Sequence, residues 1–392
     1  VTGGLAAALA RGVAEGLAPG AVAGMTRKGG SAQVIAVGRR AADAPEPMAP
    51  DAMFRLHSLT KAVGAVCAAM LAEAGSLDLD APVARYLPEF AEVPVLAGWD
   101  GDRPILRAPA RPATVGDLAM HTSGSVYAMW SDDLRRYQAA TGARPAARGG
   151  RAGLRAQPLA FDPGTAWGYG EGIDWLGLVV EAVTGEPIDA FCARRLFGPL
   201  GMVDTVFEID PARAARLAAP HVVTSDGFEP RPAPPGAKVD FHGMGHALIG
   251  TAADYLRFLS MVLNGGALDG ARILRPDTVR DLLLADRIAP LSVAPMRSAI
   301  PAVTCDVDLF PGVPLGHSLM APILRAEVPG RRSAGSVGWA GIMNCWWWLD
   351  PARGVAGVLL TQIAPFAHPR ALALLDACER AVAASAPSRG GD

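Results

Sequence analysis

The chain has 392 residues, with 36 basic and 38 acidic side chains, a formal net charge of −2, 51% hydrophobic and 19% charged residues. This balance is that of an ordinary globular protein and argues against a nucleic-acid binder, which carries a basic excess. No apolar run approaches the ~18 residues of a membrane span, and the length allows two or three domains, or one domain with a large insertion.

Residues 2–16 read as an amphipathic surface helix, and Arg11 and Glu15 within it argue against a signal peptide. Two short β-prone runs, 20–27 and 32–38, flank the hairpin signal Lys28-Gly29-Gly30-Ser31. A proline-rich loop, 44–50, follows. From Leu59 to Ala74 the chain is apolar almost all round (Val63, Val66, Cys67, Met70, Leu71), which marks a buried helix that Gly75 terminates. Helical segments are expected near 114–120, 173–184 and 188–196, separated by Pro/Gly loops at 140–165 and 229–237. The arginine-dense stretch 144–155 reads as a solvated loop. Residues 251–264 form a helix with Thr251 as N-cap and Asp254 at the third helical position. Residues 285–335 are proline-rich with little periodicity. Two β-like runs, 336–349 and 355–362, meet at the turn Asp350-Pro351-Ala352-Arg353-Gly354, and a helix from about 369 to 384 closes the chain.

Strands thus fall at both ends of the chain, with mostly helical material between them. The expected fold is α/β in the α+β sense: a central antiparallel sheet flanked by helices, carrying an inserted helical domain. Residues 1–75 and 241–392 would form the sheet domain and 76–240 the insertion. The five cysteines (Cys67, Cys192, Cys305, Cys345, Cys378) are odd in number and widely spaced, so reduced thiols and a cytoplasmic location are expected.

The most informative local feature is His57-Ser58-Leu59-Thr60-Lys61, at the mouth of the buried helix. Side chains at i and i+3 share a helix face roughly 5–6 Å apart, so the lysine amine can reach the serine hydroxyl. Only three of the 36 basic residues are lysines (Lys28, Lys61, Lys238). Arginine does not give up its proton, whereas a desolvated lysine can and so can serve as a base. A lone Ser-x-x-Lys is common by chance, but a helix N-terminus also offers free N–H groups that could hold an oxyanion.

Further motifs follow in order. Phe54-Arg55-Leu56 precedes Ser58, and Leu77-Asp78-Leu79-Asp80-Ala81-Pro82 and Tyr86-Leu87-Pro88 follow its helix. Then come His121-Thr122-Ser123-Gly124, Phe161-Asp162-Pro163-Gly164, Tyr169, Asp174-Trp175-Leu176-Gly177, Pro199-Leu200-Gly201-Met202, Thr251 to Gly266, and Gly338-Trp339-Ala340-Gly341 with Trp346-Trp347-Trp348-Leu349-Asp350-Pro351. Together they resemble the serine β-lactamase/penicillin-binding-protein superfamily, in particular the class C β-lactamase-like family VIII carboxylesterases, over most of residues 20–365.

The resemblance implies that Ser58 is an acyl-accepting nucleophile, with Lys61 and Tyr169 as the acid–base pair and the backbone N–H groups of Ser58 and Ile342 as the oxyanion hole. It also implies that Trp339-Ala340-Gly341 lies on an edge strand lining the site, in the place of a lysine-threonine-glycine motif. Two departures matter. Glu171 replaces the asparagine two residues after the tyrosine, and Trp339 replaces the lysine that a β-lactam carboxylate would need. Trp339, Gly341, Glu171, Trp167 and Trp130 are therefore the candidate substrate-binding residues, and segments 125–160 and 285–335 are expected to overhang the site.

A small or medium carboxylic ester is the expected substrate, with no cofactor, no metal, no nucleic-acid partner and no membrane. Acyl transfer to an alcohol or amine, β-lactamase or D-alanyl peptidase activity, and an inactive binding module stay open as alternatives. His242-Gly243-Met244-Gly245-His246 lacks the glutamate of a zinc-protease motif and reads as a glycine-rich approach to a strand. His121 reads as a structural hydrogen-bonder and Cys67 as inert core.

Overall fold

The apolar runs at the two chain ends become the strands of one seven-stranded sheet. The structure, a computed structural model, describes residues 2–232 and 240–385. Part of the expected 229–237 loop, and Lys238, lie outside the described residues. In chain order the strands are β1 (Gly20–Arg27), β2 (Gln33–Gly38), β3 (Leu315–His317), β4 (Pro322–Leu324), β5 (Val337–Gly341), β6 (Cys345–Asp350) and β7 (Val355–Leu360). Their spatial order is β3-β4-β5-β6-β7-β1-β2, with every neighbouring pair antiparallel. The two chain ends join in this sheet through β1 and β7, where Val22 faces Leu360 and Arg27 faces Val355.

Helices cover both faces, and the three consecutive tryptophans of β6 show it because neighbouring side chains on a strand point to opposite sides. Trp347 packs towards Tyr255, on helix α4 (Ala252–Leu263), while the Arg332 guanidinium lies over Trp348. Arg332 in turn pairs with Glu379 on helix α5 (Pro369–Ser385), which packs with helix α1 (Thr2–Ala14). All three indoles are buried. Helix α4 is capped as its sequence predicts: the Asp254 N–H donates to Thr251 Oγ1 at 3.2 Å.

Helix α2 (Thr60–Glu73) is buried from Thr60 to Leu71, and it packs on helix α3 (Gly172–Thr184). Because α2 is apolar on every face it is an interior element rather than a surface one. Its first turn, with Lys61 in it, is therefore withdrawn from water.

One expectation is overturned here. The 144–155 stretch is not a loop but the helix Ala146–Arg155, broken at Gly150 where φ is +62°. Its arginines hold it down, Arg151 on Glu181 and Arg155 on Glu89. Residues 285–335, proline-rich and without clear periodicity, supply β3 and β4. Each is three residues long, too short to show a two-residue alternation.

Glu379 is fully buried between Arg331 and Arg332, accepting from both. Replacing Glu379 by alanine strands a buried guanidinium beside Trp348. A loss of about 3 kcal/mol or more in urea-unfolding free energy is expected.

Candidate active site

Ser58 sits on a turn pinned from several sides. Strand Phe54–Arg55 pairs with Ile249–Gly250, and the next turn passes through His57 at φ +49° before α2 begins. Thr60 Oγ1 donates to the His57 carbonyl at 2.6 Å and accepts the Leu248 N–H at 3.1 Å. Tyr255 donates its hydroxyl to the Leu59 carbonyl at 2.9 Å. A left-handed residue that is not glycine costs energy and persists only where its surroundings over-determine it, as these bonds do.

Lys61 is 3% exposed. Its Nζ lies 3.2 Å from Ser58 Oγ, 3.0 Å from the Tyr127 hydroxyl and 2.8 Å from the Gly245 carbonyl. Three acceptors suit the three N–H groups of an ammonium. They equally suit a neutral amine that donates to Tyr127 and Gly245 and takes the Ser58 hydroxyl proton on its lone pair. The local i, i+3 spacing thus delivers the pair it predicts.

The tyrosine hydrogen-bonded to Lys61 is Tyr127, not Tyr169. Both rings flank the lysine, with Nζ 5.0 Å from the Tyr127 centroid and 4.8 Å from that of Tyr169. The Tyr169 hydroxyl is buried and has no partner among the described residues. The two segments are tied together, since the Tyr127 N–H donates to the Tyr169 carbonyl at 3.0 Å. A side chain at Gly170 would overlap the Ser125 carbonyl, its Cβ falling only 1.8 Å away, so glycine is what permits this approach. Burial, with the charges of Asp174, Tyr169 and Glu171, pushes the Tyr127 phenol well above its usual range. The available signal for Tyr127 was its place three residues after His121-Thr122-Ser123-Gly124, within the segment expected to overhang the site.

Aromatic side chains line the rest. Trp339 lies 4.8 Å from Tyr169, centroid to centroid, and Trp167 stacks on Tyr169 at 6.4 Å. His121 and His317 stand edge to face at 5.5 Å. Burial lowers His317 to a pKa of about 4 and His121 well below its usual value, so both are neutral at pH 7. His121 Nδ1 accepts the Gly170 N–H at 3.4 Å, the structural role expected of it. A small cavity beside Lys61 is bounded by His121, His317, Met320 and Trp339. Segment 285–335 therefore reaches the site through His317 and Met320. Trp130 stands edge to face with Phe366 at 6.5 Å, and its backbone N–H donates to the Tyr127 carbonyl at 2.9 Å.

Glu171 departs from its expected place on the substrate. It is 3% exposed, and its Oε1 accepts the Ala146 N–H at 2.9 Å, holding the start of the unforeseen helix. Burial and the nearby Asp174 charge raise its pKa to about 8. The histidines of His242-Gly243-Met244-Gly245-His246 also diverge: His242 lies 3.8 Å from Asp189, and His246 lies 3.6 Å from Asp174.

The strand that carries Trp339 is not an edge strand, because β3 and β4 continue the sheet beyond it. Yet β4 pairs with β5 only at Ile323–Val337, which leaves Trp339 to Gly341 unpaired on that side. Gly341 then lies against the turn before the serine, where an added Cβ would fall 2.4 Å from the Leu56 carbonyl oxygen. Among the described residues neither the Ser58 nor the Ile342 N–H is taken up by a hydrogen bond.

An antiparallel sheet covered by helices on both faces, with a Ser-x-x-Lys turn opening a buried helix beside it, defines the penicillin-recognising class of fold. A family model described as Beta-lactamase matches residues 5–378, and the chain belongs to that family. Esterase EstB of Burkholderia gladioli is 32% identical, covering 91% of this chain and 90% of that protein. Lovastatin esterase of Penicillium rubens is 30% identical over 80% of each chain. Simvastatin synthase (LovD) from Aspergillus terreus superposes with a TM-score of 0.85 at 26% identity, over 99% of this chain and 98% of that one.

Glu171 gives the fold a pH dependence. The folded chain keeps this carboxyl proton to about pH 8, whereas an unfolded glutamate releases it near 4.5. Between those values the folded state binds more protons, so stability falls as pH rises. Glu171→Gln keeps an acceptor for Ala146 and removes the titration. Its thermal stability is expected to overtake the wild type progressively from pH 5 to pH 8, by on the order of 3 kcal/mol at the top, and melting followed by tryptophan fluorescence across that range checks it.

Proposed function

We propose that the protein is a serine carboxylesterase that works through an acyl-enzyme on Ser58. The observation that carries this reading is the buried Lys61 amine 3.2 Å from Ser58 Oγ, held there by Tyr127 and Gly245. Ser58 Oγ bonds to the ester carbonyl carbon while Lys61 takes the hydroxyl proton. The carbonyl oxygen, now negative, sits between the N–H groups of Ser58 and Ile342. The C–O bond to the alcohol breaks, and the alkoxide takes a proton from Tyr169, which Lys61 replenishes. Water then attacks the acyl-enzyme, its proton passing to the same base, and Ser58 is released as the free hydroxyl.

Tyr127 joins this assignment as the partner that orients Lys61. The aromatic wall of Trp339, Trp167 and Tyr169 and the neutral His121 and His317 favour an uncharged ester. Trp339 offers no cation to a β-lactam carboxylate, and Glu171 is committed to the Ala146 N–H. These two positions weigh against β-lactamase activity.

Acyl transfer is the second reading. Relatives named as an esterase and as a synthase share this architecture, and a largely apolar site that excludes water would let an alcohol compete for the acyl group. Product analysis with an added alcohol acceptor separates the two, because ester exchange at the expense of free acid would favour transfer.

Ser58→Ala should abolish hydrolysis of p-nitrophenyl acetate and labelling by a fluorophosphonate, and undiminished turnover would sink the assignment. Lys61→Arg keeps the charge without a removable proton, so a loss of about a thousandfold or more in kcat is expected. For the tyrosines, Tyr169→Phe should lower kcat by about a hundredfold or more with KM little changed. Tyr127→Phe, which loses only a contact to Lys61, should cost less, about tenfold to thirtyfold. Steady-state kinetics on both variants decide the order, and a larger loss for Tyr127→Phe would exchange their roles.

A further inference from the structure

The two neutral histidines that border the small cavity beside Lys61 carry opposite hydrogen-bonding polarity. His317 ends β3, and its Nδ1 lies within hydrogen-bond distance of the Ser318 carbonyl. A carbonyl only accepts, so the proton of this ring sits on Nδ1 and Nε2 keeps a lone pair. His121 is the reverse. Its Nδ1 accepts the Gly170 N–H at 3.4 Å, so its proton sits on Nε2. Among the described residues neither Nε2 has a hydrogen-bond partner.

Both rings are fixed by their backbones. His121 has φ +59°, a conformation that costs energy in any residue but glycine, and its carbonyl accepts the Gly168 N–H at 2.9 Å. The turn that aims the Ser318 carbonyl at His317 is tied by Ser318 Oγ. That hydroxyl donates to the Ala321 carbonyl at 3.0 Å and accepts the N–H groups of Met320 and Ala321, each at 3.1 Å. The His317 carbonyl accepts the Arg287 N–H at 2.9 Å. Turning either ring over would break its Nδ1 bond, so Nε2 is the polar atom each ring has left for the cavity.

The cavity suits one small ligand. It measures about 10 Å³, close to the least that takes a single water. Apart from Lys61, the two histidines and the Trp339 indole, its walls are apolar, Ile173 and Met320 among them. The two imidazole centres are 5.5 Å apart. One water spans such a gap with hydrogen bonds of about 2.8–3.0 Å on either side. It would accept from His121 Nε2–H and donate to His317 Nε2, which leaves it a second hydrogen and a second lone pair. It would also lie beside Lys61, whose Nζ is 3.2 Å from Ser58 Oγ.

We propose that His121 and His317 hold the water that releases the acyl group from Ser58, and that this pair directs the acyl-enzyme to hydrolysis rather than to transfer onto an alcohol. This rests on the acyl-enzyme reading of Ser58. The held water bonds through its free lone pair to the acyl carbonyl carbon and gives up a proton to the base. The bond to Ser58 Oγ breaks, that oxygen takes a proton back, and the carboxylic acid leaves. The histidines stay neutral throughout and only orient the water. An alcohol needs room for carbon as well as oxygen, so the pair does not hold it.

The test is how the acyl-enzyme divides between two acceptors. Each variant turns over p-nitrophenyl butyrate at one fixed methanol concentration, and the ratio of butyric acid to methyl butyrate is measured. A change that only weakens Ser58 or slows acylation lowers both products alike and leaves the ratio where it was. His317→Phe keeps a ring of similar size without the acceptor, and the ratio is expected to fall by about tenfold. His317→Gln, whose amide oxygen can take the place of Nε2, should stay within about threefold of the wild type. An unchanged ratio in His317→Phe overturns the proposal, and so does a fall in His317→Gln as large as that in His317→Phe. If His317→Phe does not fold, Ala119→Val decides. It fills the cavity with both histidines in place, and a ratio equal to that of the wild type overturns the proposal. Ser58→Ala, assayed beside them, separates the two levels. Release of p-nitrophenol surviving in that variant defeats the acyl-enzyme reading itself, whereas an inert Ser58→Ala with unmoved ratios in the others defeats only the role of His121 and His317.

Discussion

A lysine amine withdrawn from water must find its hydrogen bonds inside the protein, and most of the site follows from how Lys61 does so. Its three acceptors come from its own helix turn, from the segment after His121-Thr122-Ser123-Gly124 and from the glycine-rich approach to Ile249. Each brings a requirement of its own. Reaching Ser58 needs the His57 turn at positive φ, locked by Thr60 and Tyr255. Tyr127 depends on the close pairing with the Tyr169 segment that Gly170 permits. The Gly245 carbonyl is aimed by Asp174, which tolerates no side chain at Gly243 or Gly245. Leaving any of these polar groups unpaired at this depth would cost more than its bond contributes, so the three segments are tied to one geometry.

Burial also decides the charge inventory. His57, His121 and His317 are all held neutral, and Glu171 keeps its proton at neutral pH. Beside them the ionised Asp174 stands out, with Lys61 one Gly245 backbone away. A charge in such surroundings acts over a longer range than it would in water. The aromatic walls around Lys61, with the indole at position 339 among them, would disfavour a charged substrate. Hydrolysis and acyl transfer differ only in the nucleophile that reaches the acyl group second, and both fit such walls. That is consistent with relatives named for either reaction.

Much was legible in the linear chain because it depends on neighbours in sequence. The Ser58–Lys61 contact needs only one helical turn, the Thr251 cap only three residues, and β1 and β7 show themselves by the apolar runs Gly20 to Met25 and Val355 to Leu360. The all-round apolar character of α2 announced that Lys61 would be buried. Ordered motifs extended this to the family, its sheet-and-helix architecture and the neighbourhood of Tyr169 and Trp339.

Other features were settled by tertiary structure, because they turn on where a side chain points after distant segments have packed. Tyr127, rather than Tyr169, bonds Lys61 because the two tyrosine segments lie side by side and one hydroxyl reaches the amine. Glu171 looked like a substrate contact at its motif position, but the unforeseen helix 146–155 brought an unpaired N–H to it. Strands β3 and β4 were too short for a period, and by extending the sheet they turned an expected edge into an interior strand open only beside Gly341. The sequence by itself determined the Ser58–Lys61 turn, the buried helix and the family. Only packing between segments as much as 184 positions apart decided which groups surround the lysine, since such contacts have no local periodicity to betray them.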